Sequence, residues 1–210
     1  MKRFIVFALC SAIVHISVNA QSFKWGVKAG ISTPDIKPAD ATEIKTGTLS
    51  LKVSDANYGF HFGAWTRVGF SKFYIQPELN LNSSKVTYRV KDTKPGAVLD
   101  SLQKESFLNL DIPVLLGFKL GTFRINGGPV GHLHLTNTSD LFQVSGYKST
   151  FASLKYGYQA GIGLDFGALG IDIRYEGNFD KFGDHINIGG SAFNFSKTPS
   201  RILVSFGIGF

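Results

Sequence analysis

The residues of this sequence that could do chemistry are charged side chains placed at alternate positions within apolar segments. The acids are Glu78, Asp111, Asp165, Asp172 and Glu176, and the bases are Lys24, Lys28, Arg67, Lys119, Arg124 and Arg174. Gathered in one enclosed space, such charges would either conduct ions or neutralise one another. Which of the two applies depends on the elements that carry them.

Three histidines occupy similar positions: His61, His132 and His134. His132 and His134 are two residues apart, which places both on one face of a strand. A metal site needs at least three ligands in suitable geometry, so this pair alone predicts no metal site. No motif combines a nucleophile with a base and an orienting acid. The sequence therefore predicts no catalytic residue, no cofactor and no enzymatic activity.

Alternation of apolar and polar residues dominates the sequence after residue 20 and is typical of strands with two different faces. In one segment, for example, Leu169 and Ile171 alternate with Asp172 and Arg174. The predicted strands cover residues 23–33, 57–70, 73–90, 106–120, 123–136, 154–166, 169–178 and 201–210. The fold class is therefore all-β.

The connections between these segments alternate in length. The tight turns are 69–72, 121–122 and 167–168. The long polar connections are 35–56, 91–105, 137–153 and 179–200. Short turns at one rim and long loops at the other are the layout of outer-membrane barrels, with the turns in the periplasm. An even number of strands then places both termini on the short-turn side.

Three architectures produce alternating strands: a β-sandwich, a soluble up-and-down barrel and a membrane barrel. The first two bury the apolar face and expose the polar face to water. Here the polar face is rich in glycine, which weakens a strand and packs nothing. In a narrow barrel, however, small residues must lie beside large polar ones that fill the interior. The glycines on this face are Gly26, Gly30, Gly63, Gly117, Gly128, Gly161, Gly163, Gly207 and Gly209.

We therefore predict an eight-stranded antiparallel up-and-down transmembrane β-barrel with short periplasmic turns, long extracellular loops and an apolar face in contact with lipid. Its interior is just wide enough for side chains, which leaves little room for water. Because an unpaired buried charge is strongly destabilising, the interior charges are expected to pair and to plug the barrel. The predicted charge network consists of Glu78, Asp111, Arg124, Asp165, Asp172, Arg174 and Glu176.

The N-terminal segment 1–20 has the features of a secretory signal peptide. Lys2 and Arg3 precede a short apolar run, and small residues lie at the cleavage position after Ala20. The run is too short for a spanning helix, which needs about 20 apolar residues. Residues 21–210 then form the barrel domain.

The chain has a net charge of +7 but no Lys/Arg cluster, so no nucleic-acid partner is predicted.

Short motifs recur in order along the predicted strands. Residues 74–79 read YIQPEL, residues 108–116 LNLDIPVLL, residues 127–130 GGPV and residues 156–163 YGYQAGIG. Together they resemble the PorT-type outer-membrane β-barrel proteins, loosely called porin-like, with their aromatic-x-x-Pro-Glu-Leu and Leu-x-x-x-Ile-Pro-Leu-Leu signatures. Val130 stands where that family has an aromatic residue.

This resemblance implies an eight-stranded barrel in the outer membrane of a Gram-negative bacterium, with no shared enzymatic activity. The terminal Phe210 resembles the signal by which the barrel assembly machinery recognises its clients. It could equally be one more lipid-facing aromatic residue, and both interpretations can hold.

The predicted function is that of a monomeric outer-membrane barrel with a structural or interaction role. Its partners would be membrane lipid, the assembly machinery during biogenesis and a protein bound by the extracellular loops, of which 35–56 and 179–200 are the longest. The alternative is a narrow channel for small solutes or ions.

Pro77 and Pro113 cannot donate to a strand ladder, so each is predicted to mark a bulge or a strand end.

Overall fold

The computed structural model describes a barrel with part of its connections. The described residues are 22–34, 44–46, 49–92, 100–139, 147–149, 154–179, 186–188, 191–193, 198 and 200–210. The predicted signal peptide and its cleavage after Ala20 lie outside these residues, as do parts of the four long connections. Among the described residues, no helix is long and apolar enough to cross a membrane.

Eight long strands form the barrel. They are β1 (Ser22–Ser32), β4 (Gly59–Phe70), β5 (Phe73–Asp92), β6 (Asp100–Leu120), β7 (Phe123–Ser139), β9 (Lys155–Phe166), β10 (Leu169–Asn178) and β13 (Ser200–Gly209). Five shorter strands lie in the long connections: β2 (Ile44–Thr46), β3 (Leu49–Ala56), β8 (Tyr147–Ser149), β11 (Ile186–Ile188) and β12 (Ser191–Phe193).

The long strands close into a ring. Each pairs antiparallel with the next along the chain, in the order β1, β4, β5, β6, β7, β9, β10, β13. The ring closes where β13 pairs with β1, with Gly207 opposite Lys28. The predicted eight-stranded antiparallel up-and-down barrel is therefore confirmed.

The alternation read from the sequence divides the inside of the barrel from the outside. On β10, for example, Ile173 is 48% exposed while its neighbour Arg174 is 2% exposed. The same contrast separates Leu79, 55% exposed, from Glu78, 2% exposed, on β5. Apolar side chains thus cover the outside, and polar and charged side chains fill the inside.

The tight turns lie at one rim and depend on left-handed backbone. Gly121 and Gly167 have φ angles of 60° and 63°, a conformation that glycine adopts without steric cost. Ser71, in the turn from β4 to β5, has a φ of 59°. We call this end the short-turn rim and the opposite end the long-loop rim.

The prediction for the two prolines is wrong. Strands β5 and β6 run through Pro77 and Pro113, and the pairing register on either side of each proline is unchanged. The ladder instead skips a few pairs near each proline and resumes in the same register. The register shifts of these strands lie elsewhere, between Leu108 and Asn109 and between Val53 and Asp55.

All four predicted long loops also need correction, because β2 and β3 lie in 35–56, the start of β6 in 91–105, β8 in 137–153, and β11 and β12 in 179–200. Strand β3 pairs with the far half of β5, and β6 begins at Asp100. Residues 49–56 do alternate, but the segment is short and rich in polar residues. We call β3, with residues 83–92 of β5 and 100–108 of β6, the extended sheet, since it continues the barrel wall past the long-loop rim.

A small apolar core lies on the inward face of the extended sheet. Val53, Tyr88 and Val90 have no exposed surface, and Val86 and Phe107 are less than a tenth exposed. These residues lie on the paired strands β3, β5 and β6, beyond the ring of eight strands toward the long-loop rim.

Candidate functional site: the barrel interior

The interior charges are arranged in three levels along the barrel. The level nearest the short-turn rim centres on Asp165. Its carboxylate accepts hydrogen bonds from Arg67 Nη1 at 2.9 Å, Lys119 Nζ at 3.0 Å and Arg124 Nε at 2.8 Å. Arg124 also donates two hydrogen bonds of 3.1 Å to the oxygens of Asp172. Two acids are thus neutralised by three cations.

Aromatic rings hold the Arg67 guanidinium in place at this level. Its carbon lies 4.9 Å from the centres of both the Trp65 and Tyr74 rings, within the range of a cation–π contact. Arg67 Nε also donates to Gln76 Oε1 at 2.6 Å. A planar guanidinium suits this setting because it can stack and donate at once.

Glu78 is the centre of the middle level and is 2% exposed. Arg174 Nη1 donates to both of its carboxylate oxygens, at 2.9 and 3.0 Å, and Lys28 Nζ forms a second ion pair with it. The amides of Gln76 and Asn80 donate to it at 2.6 and 3.1 Å. Arg174 Nη2 reaches back to the short-turn level through a 3.2 Å bond to Asp172.

The third level, toward the long-loop rim, joins two acids to Arg201. Its Nη2 lies 2.8 Å from Asp111 Oδ2 and 2.7 Å from Glu176 Oε1. Asp111 also bonds His132 Nδ1 at 2.7 Å, and Glu176 accepts from the amide of Gln159 at 2.6 Å. Both carboxylates are buried.

At each level one ion pair crosses the full width of the barrel. In the ring of eight strands, β4 and β9 are four positions apart, as are β5 and β10, and β6 and β13. These opposite strands carry the three pairs Arg67–Asp165, Glu78–Arg174 and Asp111–Arg201. We call them the transverse pairs. Side chains that meet from opposite walls occupy the space between those walls.

The cavity beside the transverse pair nearest the short-turn rim is small. A cavity of about 20 Å³ lies at the short-turn rim beside Arg67 and Asp165, which is room for about one water molecule. The side chains of Arg124 and Arg174 are almost completely buried, at 1% and 2% exposure. Buried side chains of the transverse pairs thus reach across the interior at all three levels.

The structure places all seven residues of the predicted charge network in the interior: Glu78, Asp111, Arg124, Asp165, Asp172, Arg174 and Glu176. Sequence reasoning left Arg201 out, although the period-two count of the last strand puts it on the inward face. Of the bases that the sequence singled out, Lys119 is 37% exposed and Lys24 is half-buried at the short-turn rim.

The histidines make local polar pairs rather than one cluster. His134 Nδ1 lies 2.9 Å from Asn109 Oδ1, on the neighbouring strand. His132 joins Asp111 and Glu176 in a group whose potential ligand atoms lie within 4.8 Å of one another. The nitrogen Nη2 of Arg201 contacts both carboxylates of that group, so a cationic group already stands where a metal ion would bind. The two acids come from other strands, which is why the histidine spacing gave no sign of them.

A serine and a histidine also meet in the interior. His61 Nε2 lies 2.8 Å from Ser205 Oγ, and both residues are buried. A nucleophilic serine needs a base that a third group orients. Among the described residues, His61 Nδ1 has no hydrogen-bond partner. The pair thus lacks an orienting acid there.

Comparisons with known proteins agree with this architecture. No curated protein matches the sequence. The crystal structure of the outer membrane protein OprG from Pseudomonas aeruginosa superposes with a TM-score of 0.52 and 16% identity, over 90% of this chain and 95% of OprG. The outer membrane protease OmpT from Escherichia coli gives a TM-score of 0.42 and 10% identity, over 93% of this chain and 98% of OmpT. The first likeness supports the fold, and the second is too weak to support any argument.

The sequence itself matches a family profile. The profile describes an outer membrane protein β-barrel domain and covers residues 19–182, well over half of the chain. The outward apolar face of the barrel is accordingly the surface that contacts lipid. The chain therefore belongs to the family of outer membrane proteins that share this β-barrel domain.

Proposed function

We propose that this protein is a plugged barrel that passes no solute and acts as a membrane scaffold whose long-loop rim makes the functional contacts. The transverse pairs carry this proposal, because each one spans the interior from wall to wall. A continuous water column would have to separate at least one charged pair at every level. Buried charges separated from their partners are strongly disfavoured, so the closed arrangement is the stable one.

We also propose a more specific relationship within the family and a route of export. The motifs at 74–79 and 108–116 support a PorT-type relationship within the wider family. Export through a signal peptide cleaved after Ala20, in a Gram-negative bacterium, follows from the N-terminal pattern. The short-turn rim would then face the periplasm and the long-loop rim the outside of the cell.

The protein is also proposed to be a non-enzymatic monomer. His61 and Ser205 are both buried, and among the described residues no acid orients the histidine, which argues against hydrolysis. A single chain closes its own ring, so no second copy is needed to pair a strand edge. A protein partner at the long loops would be bound outside the barrel.

Single-channel conductance of the refolded mature protein in a planar bilayer tests the plug. A silent bilayer is expected, with heat-modifiable gel mobility showing that the barrel has folded. Steady conductance that changes in Glu78→Gln, but not in the exposed control Lys72→Gln, would show that ions pass beside the middle level. That result would contradict the scaffold function and support the alternative, a narrow channel for ions or small solutes.

A further inference from the structure

Positive charge is in excess at the two levels of the interior nearest the short-turn rim. The cations there are Lys24, Lys28, Arg67, Lys119, Arg124 and Arg174. The acids are Glu78, Asp165 and Asp172. The terminal carboxylate also lies at this rim, where Phe210 O accepts a hydrogen bond of 3.2 Å from Trp25 N. Even with that group counted, six positive charges are set against four negative ones.

The other acids of the chain belong elsewhere. Two are in the third level, Asp111 and Glu176. Four are on the strands of the extended sheet, namely Asp55, Asp92, Asp100 and Glu105. Six belong by sequence to the long connections, which join strands at the opposite rim: Asp35, Asp40, Glu43, Asp140, Asp180 and Asp184. With these, all 15 acids of the chain are accounted for.

Much of the excess charge is buried. Lys28, Arg67, Arg124 and Arg174 are each less than a tenth exposed. Lys28 and Arg174 must share the single carboxylate of Glu78. Positive charge that has left water is strongly destabilising unless negative charge lies close to it. A further anion at this end of the barrel would therefore be bound favourably.

A cavity at the short-turn rim gives such an anion access to the cations. We call it the short-turn cavity. Its walls carry four of the six cations: Lys24, Lys28, Arg67 and Arg124. Gly167 and Ala168 of the tight turn line it as well, which places it at the rim. Its volume of about 20 Å³ has room for one group of the size of water.

The two acids in the cavity wall already have partners. Asp165 accepts hydrogen bonds from Arg67, Lys119 and Arg124. Asp172 accepts from Arg124 and Arg174. Each carboxylate is therefore surrounded by cations, which leaves it little negative charge to repel an incoming anion.

Lys24 is the cation of this wall that lacks an acid. Among the described residues it has no ion-pair partner, and it is half-buried. In the β1–β4 ladder it is directly opposite Arg67. Like charges in that position destabilise a sheet, and an anion between them would remove the repulsion.

We propose that the short-turn cavity binds a small anion, with Lys24 at its mouth and Arg67 and Arg124 behind it. The size of the cavity suits a chloride ion or one oxygen of a phosphate group that enters from the rim. Hydrogen bonds from charged donors to an anion are short and strong. The bound anion would balance the charge of the plug at this end and stabilise the folded barrel, since it binds only the folded state.

Chlorine-35 NMR of the refolded mature protein in uncharged detergent micelles tests this binding, with sodium chloride as the probe. Chloride that exchanges with a site on the protein gives a broader line than chloride with empty micelles. Wild-type protein is expected to broaden the line in a saturable way. Lys24→Gln should weaken the affinity about tenfold, because one charged hydrogen-bond donor is lost. Lys24→Arg keeps the charge and should keep most of the affinity.

Sodium phosphate added as a competitor distinguishes the two ligands. Narrowing of the chloride line at phosphate concentrations far below that of chloride would show that the site takes an oxygen of an oxyanion. Narrowing only at comparable or higher concentrations would show that it takes the halide. Both results support an anion site in the short-turn cavity.

Lys72→Gln is the matched control, because Lys72 is exposed in a tight turn at the same rim and does not line the cavity. It makes the same change of charge and should leave the broadening unchanged. Lys24→Met is a second variant in case Lys24→Gln does not refold, as judged by heat-modifiable mobility. An equal loss in Lys72→Gln would show a general effect of net charge and overturn the proposal. Broadening that does not saturate, or that persists in the folded Lys24 variants without charge, would overturn it too.

Discussion

Glu78 shows how much of the interior depends on single residues. Its carboxylate receives Arg174 and Lys28 as ion pairs and Gln76 and Asn80 as amide donors. All of these partners are themselves buried. A carboxylate in such a setting is tolerable only because its partners replace the water it has lost.

Neutralising this residue should therefore cost stability. We expect Glu78→Gln to lower the free energy of unfolding by about 3–5 kcal/mol, because it leaves Arg174 and Lys28 buried without their shared anion. Equilibrium unfolding of the refolded barrel in lipid vesicles with guanidinium chloride measures this change.

The control for this prediction is Lys119→Gln. Lys119 also forms an interior ion pair, with Asp165, but its side chain is 37% exposed. Water can replace its partner, so the expected loss is at most about 1 kcal/mol. Losses of equal size in the two variants would contradict the view that burial makes the middle level costly to disrupt.

The sequence predicted which side chains point into the barrel, but not which residues they contact there. Period-two alternation assigns Glu78 and Arg174 to the inward side without knowledge of the structure. Their contact, however, joins residues 96 positions apart and depends on which strands face each other across a closed ring. No local pattern contains that information. Arg201 was left out although the period of its strand already placed it on the inward face; it stands at the edge of that strand, next to a long polar connection.

Strands were predicted more accurately than single contacts. Strand β10 was predicted with its observed bounds, and β1 and β9 within one residue at each end. The errors have physical causes. The prolines were expected to break pairing, but a strand can lose ladder bonds at one residue and keep its register when its neighbours hold it on both sides. Strand β3 was not predicted because its alternating segment is only eight residues long and adjoins a polar loop.

Glycine controls how closely the strands pack against interior rings. Gly117 on β6 pairs directly with Tyr74 on β5, and a Cβ atom at Gly117 would overlap the tyrosine ring. That ring also stacks against Arg67. We expect Gly117→Ala to lower the free energy of unfolding by about 1–3 kcal/mol through overpacking. The guanidinium chloride measurement described for Glu78→Gln reports the change.

Gly131→Ala on β7 is the comparison for this prediction. A Cβ atom there would meet Leu154 Cδ1 at 3.4 Å, which is ordinary contact. The substitution should be neutral or slightly stabilising, because alanine restricts the unfolded chain. If Gly117→Ala were equally harmless, the ring of Tyr74 would have to be free to move, and its role in holding Arg67 would be refuted.

At the scale of the whole molecule, the seam between first and last strands completes the barrel. Phe210 lies beside Trp25, with ring centres 4.9 Å apart, and the two residues exchange backbone hydrogen bonds of 3.2 and 2.7 Å. Phe210 is also 63% exposed on the lipid side. Both interpretations made from the sequence, an assembly signal and a lipid-facing aromatic, are compatible with this position.

We predict that Phe210 acts chiefly during assembly. Phe210→Ala should reduce the amount of folded barrel in the outer membrane of cells several-fold, because the assembly machinery would lose its recognition residue. Phe206→Ala, which removes an equally exposed aromatic residue from the same strand, should have little effect. Heat-modifiable mobility of membrane fractions measures both. Equal defects, in cells and after refolding in vitro, would mean that Phe210 serves only as a lipid contact.

The transverse pairs divide the chain into complementary halves. Each joins a residue of the first four barrel strands to one of the last four, over separations of 90 to 98 positions along the chain. Each half also holds ion pairs of its own, such as Lys28–Glu78 and Arg201–Glu176, but the three transverse contacts form only when the halves meet. A sheet of four strands therefore keeps those charges in water until the barrel closes. Closure then removes that water and forms all three contacts together. We expect the final docking of the halves to be the slow, cooperative event of folding, and two co-refolded fragments cut between β6 and β7 to recognise each other by charge.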